Sequence, residues 1–153
     1  MKRCSIPPLS QPSPMGREVR PCRAAYQIVI ARTSELLAHH VQMASSMVDR
    51  MAGLLGRAGL APGEGLLIRR CRAIHTWFMR FTIDVVFIDR ASRVVAVQPS
   101  VPPWRMSSIV WDARDVIELP AGTVQTVRLR VGDELIVEPA PPKVPLTPTC
   151  SIS

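Results

Sequence analysis

Within ten positions, His75, Trp77, Met79, Arg80 and Asp84 bring together an imidazole, an indole, a thioether, a guanidinium and a carboxylate. Strands turn successive side chains to opposite faces. A strand over residues 74–79, IHTWFM, therefore projects His75, Trp77 and Met79 together and sets Thr76 and Phe78 opposite. Three chemistries are open to such a face. Asp84 paired with Glu118, or His75 with either, would divide acid and base work in a small hydrolase-like enzyme if their environments separate their pKa values. The soft thioether of Met79 together with the imidazole of His75 would suit Cu(I). Four strand positions nevertheless hold them about 13 Å apart, and no metal is expected. A concave apolar patch with a few polar groups suffices to bind a protein or a small molecule. Trp77, Trp104 and Trp111 are platforms for that, Trp104 most of all, because it lies in a loop between Pro103 and Arg105.

Structural roles compete with each of these. An imidazole, an indole and a thioether on one face also make a core wall. A carboxylate at the start of an apolar strand, as at Asp84, commonly accepts backbone donors. No nucleophile elbow, phosphate loop or paired-histidine motif is present. The residues favour a non-catalytic binding or accessory module without a cofactor over the hydrolase-like alternative. The candidate ligand-binding residues are His75, Trp77, Met79, Arg80, Asp84, Trp104 and Glu118.

The elements that must position these residues can be read from periodicity. YQIVIA at 26–31 is a short strand. Leu36, Leu37, His40, Met43, Ala44, Met47, Met51, Leu54 and Leu55 recur at three- and four-residue steps, which predicts an amphipathic helix capped by Thr33 or Ser34 and ended by Gly53, Gly56 and Gly59. Strands follow at 65–70, 74–79, 83–88, 93–98, 114–119 and 134–138, while TVQTVRL at 123–129 is ambiguous. Asp89–Ser92 make a tight hairpin link. Seven short strands and one N-terminal helix predict a compact, mainly β domain at the margin of α+β, an antiparallel sandwich or barrel. Its expected core includes Phe78, Val86, Ile88, Val95, Ile117, Leu119 and Ile136.

At 153 residues, 47% of them apolar, the chain suits one domain with a real core. The net charge of +7 is unevenly placed: residues 26–138 hold 13 Arg against 11 Asp and Glu, so most of the excess lies in the flanks. Residues 1–24 and 139–153 are rich in proline and lack apolar period, and they are expected to be disordered on either side of a domain at 25–138. Nucleic-acid binding is expected only weakly, through the basic tails. Arg69, Arg70 and Arg72 form the one basic cluster within the core and read as a solvated strand end. Cys4, Cys22, Cys71 and Cys150 are too scattered for a metal knuckle or redox pair. No stretch has the length of a membrane span or the apolar run of a secretory signal, which predicts a cytoplasmic protein.

Five ordered blocks, GLLGR at 53–57, APGEGLLI at 61–68, IHTWFMRFTIDVVFIDRASRVV at 74–95, VIELPAGTV at 116–124 and VGDEL at 131–135, resemble the domain of unknown function (DUF) 192 family of small bacterial and archaeal proteins. Met79, Thr82, Asp84, Glu118 and Gly122 match residues frequent in that family, whereas Arg80 and Phe81 stand where many members carry a lysine and an asparagine. The resemblance implies a mainly β, sandwich-like domain with little helix. It implies no particular activity, cofactor or partner.

Overall fold

A computed structural model describes residues 25–44 and 58–141. Seven strands follow in chain order: β1 (Ala25–Ile30), β2 (Glu35–Ala44), β3 (Glu64–Ile68), β4 (Ile83–Ile88), β5 (Val94–Val101), β6 (Asp115–Pro120) and β7 (Leu135–Pro139). One short helix, α1 (Thr123–Thr126), lies between β6 and β7. The strands form a single sheet in the order β5-β4-β6-β3-β2-β1-β7. All pairings are antiparallel except β2 with β3. Both outer strands carry a proline, Pro99 in β5 and Pro139 in β7, where a missing N–H costs no ladder bond.

The sheet curls until its two edges meet at one end. Arg93 bridges Glu134, Val94 N–H donates to Asp133 O (2.8 Å), Gly132 N–H to Val94 O (2.7 Å) and Leu135 N–H to Ser92 O (2.9 Å). The result is a half-barrel clasped at one corner. Its inner face gathers Ile28, Ile30, Val41, Leu67, Val86, Ile88, Ile117, Leu119 and Leu135, closed by Val124 of α1. The outer face of β3, β4 and β6 presents Leu66, Ile68, Ile83, Val85, Phe87 and Val116, and these too are buried, under Ile74, Met79 and Ala113. β4 is buried at every residue because both of its faces are covered.

Several expectations are corrected. Residues 35–44, assigned to the N-terminal helix, form β2. The remainder of that helix, residues 45–55, lies outside the described residues. Its helical stripe has a physical origin: β2 carries extra residues against β1, with partners stepping from Ala38 to Val41 while β1 steps only from Ile28 to Tyr26. Gly63 O accepts from both His39 and His40 N–H, a two-against-one arrangement. Bulges break the two-residue alternation. Leu37, Ala38, Val41 and Ala44 then fall at spacings that imitate a helix. Residues 74–79 are not a strand of the sheet. In the ambiguous 123–129 stretch, α1 takes 123–126. In the expected core, Val86, Ile88, Ile117 and Leu119 are buried and Val95 is half-buried, whereas Phe78 and Ile136 are exposed. No helix among the described residues is long and apolar enough to cross a membrane.

Candidate functional site

The cover over the outer face is an irregular ribbon made by residues 71–80 and 102–114. Its two arms run antiparallel. Cys71 N–H donates to Arg114 O, Val110 N–H to Arg72 O and Ser107 N–H to Ile74 O, each 2.9 Å, while Thr76 N–H donates to Arg105 O (2.8 Å) and Trp104 N–H to Thr76 O (3.0 Å). Buried hydroxyls fill the places where the ladder breaks. The Thr76 hydroxyl donates to Pro102 O (2.8 Å) and accepts from Arg105 N–H (2.9 Å), and Ser107 Oγ accepts from Ile74 N–H (2.8 Å). Thr76 is fully buried, as unpaired backbone groups at that depth would be costly.

Above this anchor the ribbon turns at Trp77 and Phe78. Met79 N–H reaches back to Thr76 O, and Phe78 takes a φ of 66°. Trp104, on the other arm, takes a φ of 61°. A left-handed backbone at a bulky aromatic residue is strained, costing roughly 1–2 kcal/mol each. These turns upset the expected alternation. Met79 is buried, while Trp77 (47% exposed), Phe78 (59%), Trp104 (61%) and Met106 (64%) stand in solvent. Phe78 and Trp104 meet edge to face with centroids 5.0 Å apart, and His75 lies 5.3 Å from Trp77 at a 31° tilt. His75 is half-buried, and its Nδ1 has no hydrogen-bond partner among the described residues. Arg80 and Arg105 are exposed on the same two segments, and residues 75–82 and 102–109 contain no Asp or Glu.

The two carboxylates are kept apart. Asp84 pairs across the ladder with Leu119, and Glu118 with Val85. Paired residues share a face, so Asp84 belongs to the inner side and Glu118 to the outer. Asp84 is fully buried and spends both oxygens on backbone donors: Oδ1 accepts from Ser100 N–H (2.8 Å) and Oδ2 from Val124 N–H (3.0 Å). It thereby ties β4 to the end of β5 and to the first turn of α1. Glu118 is buried beside Leu66 and Val85. His75 belongs to the ribbon outside the sheet. The sheet thus does not assemble Asp84, Glu118 and His75 at one point. What the ribbon brings together is Trp77, Trp104, His75, Met106 of the second arm, which residue type alone did not single out, and Phe78, which the alternation rule set on the opposite face. The Thr-Trp-Phe-Met run was the only trace of the turn, and nothing in it specifies a positive φ at phenylalanine.

A family model described as "Uncharacterized ACR", DUF192, matches residues 28–137. The chain belongs to the DUF192 family. A UPF0127 protein of Pyrococcus horikoshii is 35% identical over 98 residues, covering 62% of this chain and 84% of that protein. A UPF0127 protein of Pyrococcus abyssi is 33% identical, with 62% and 83% covered. A solved structure from Novosphingobium aromaticivorans, of unknown function, superposes on this DUF192 chain with a TM-score of 0.63 at 15% identity, covering 73% of this chain and 83% of that one. A Sinorhizobium meliloti protein, named provisionally as a transcription regulator, superposes with a TM-score of 0.62 at 22% identity over 74% of this chain and 92% of its own. At those identities the likeness establishes the fold.

Proposed function

We propose that this DUF192 domain is a binding module that engages a partner protein through the aromatic end of its ribbon. The observation that carries the reading is the pair Phe78 and Trp104: two large apolar side chains held outward by strained backbone on loops pinned from below by Thr76. Strain of this kind persists only where the surrounding structure over-determines it, and it concentrates at functional sites. Aromatic anchors ringed by polar groups are the usual centre of a protein interface. His75, Arg80 and Arg105, with no acid on either segment, favour a partner segment that carries apolar side chains next to acidic ones.

The test is site-directed photocrosslinking in cells, with benzoyl-phenylalanine placed at Trp104 or at Met106 and, as a control, at the exposed Leu36 of β2. Positions 104 and 106 should give one discrete adduct whose partner, purified, binds the wild-type chain stoichiometrically and loses affinity by tenfold or more with Phe78→Ser. Adducts equally abundant from position 36, or none from 104 and 106, would refute the reading.

A further inference from the structure

At the opposite end of the ribbon, where the β3 exit meets the β4–β5 hairpin, lies a cleft of about 1010 Å³ lined by Arg70, Arg72, Arg90, Arg114 and Trp111. Four arginines converge here from three separate stretches of chain. The positive φ of Arg70 (54°), fixed as its N–H donates to Asp115 Oδ1 (2.8 Å), places it at the bend after β3. Arg90 arrives on the hairpin turn that Asp89 organises, its Oδ1 accepting from Ala91 and Arg93 N–H at 2.8 and 2.9 Å. Arg114 lies 3.9 Å from Asp115, whose other oxygen is taken by Arg69 at 3.2 Å. Among the described residues, the guanidinium groups of Arg70, Arg72 and Arg90 have no acidic partner. Trp111 is 71% exposed beside them.

We infer that this cleft binds a nucleoside phosphate, either free or as part of a single strand. Guanidinium forks match phosphate oxygens bidentately. An uncovered indole at the rim offers a stacking face for a base. Asp112 and the second oxygen of Asp89, also on the cleft wall, supply acceptors for sugar hydroxyls, a use for carboxylates that a purely anionic ligand would not have. The volume is at the upper end for a small-molecule site and exceeds what one phosphate fills. This site shares no residue with the aromatic end of the ribbon, so either can fail without the other.

Calorimetric titration of the full chain in 150 mM salt, with ADP, pyrophosphate and a single-stranded hexaribonucleotide as probes, tests the inference. Arg72→Glu with Arg90→Glu should weaken ADP binding at least tenfold, and Trp111→Ala about fivefold, with the melting temperature unchanged because all three side chains are exposed. The charge-matched control, Arg128→Glu with Arg130→Glu beside the separate recess at Arg32, should leave it unchanged. A hexanucleotide that binds much tighter than ADP, with steep salt dependence, identifies a strand as the ligand. Equal affinities identify a free nucleotide. Three outcomes overturn the inference: no ADP binding at millimolar concentration, equal losses in the control, or pyrophosphate binding as tightly as ADP.

Discussion

Asp84 carries two backbone donors from two different elements on one buried carboxylate. Asp84→Asn keeps the shape but turns one acceptor into a donor, which then faces an N–H. The loss should be about 1–3 kcal/mol in a urea unfolding experiment. A variant as stable as the wild type would show that the two hydrogen bonds contribute nothing. Phe78 gives the converse case. The apolar pattern places it in the core, where Phe→Ala costs about 3–5 kcal/mol. It is instead exposed at a φ of 66°. Phe78→Gly relieves the strain and gives up the edge contact with Trp104, worth about 0.5–1.5 kcal/mol, together with the covered part of a ring that is mostly in solvent. Its melting curve should therefore nearly overlie that of the wild type. A large drop would place Phe78 back in the packed interior.

Among the elements, the ribbon is the one pinned by buried hydroxyls, and at its aromatic end the hydroxyl is that of Thr76. Thr76→Val is close to isosteric but leaves Arg105 N–H and Pro102 O without their buried partner, a cost of about 1–3 kcal/mol. Thr76→Ser should recover most of it. Amide exchange at Trp104 and Arg105 should speed up in the valine variant while β4 stays protected. Equal acceleration in β4 would mean that the ribbon and sheet open as one unit. The same element shows where sequence reasoning stops. β4 and β6 were legible because both faces are buried and the apolar runs are continuous. β1 and β7 were legible from short β-branched runs between turns. β2 was not, since its bulges replaced alternation with a helix-like spacing. The aromatic surface was half legible: Trp77 and Trp104 were named from residue type, but the exposure of Phe78 depends on a backbone turn that residue type does not encode, and Met106 joins it only through the pairing of the ribbon's two arms. The opposite faces of Asp84 and Glu118 follow from ladder register, which is set between strands and not within either one.

For the whole molecule, the clasp between β5 and β7 decides whether the curl stays closed. Asp133 sits at its centre: it accepts from Arg32 Nε (2.9 Å), Arg32 Nη2 (3.2 Å) and Arg130 N–H (2.9 Å). The hydrogen bond from Arg32 holds the Asp133 carboxyl below its ordinary value of 3.8, helped by Arg130 N–H and opposed by burial. A carboxyl lowered on folding contributes stability above its unfolded value and loses it as the pH falls through its folded one. Asp133→Asn should therefore lower the urea midpoint at pH 7, and the gap to the wild type should narrow as the pH falls below about 4. A gap that does not change with pH would remove the clasp's electrostatic role. The interior itself rests on packing, and Phe87→Ala, at a fully buried site, should cost about 3–5 kcal/mol by thermal or urea unfolding. The pairing of β1 with β7 has one further consequence. Ala140 N–H donates to Ala25 O (2.8 Å), so the first and last described strands finish side by side. A short peptide could join Ala25 to Ala140, and the chain could be reopened at the exposed Ala91, giving a circularly permuted protein with every ladder intact. By the same geometry, a domain fused before β1 or after β7 would hang from one and the same corner of the half-barrel.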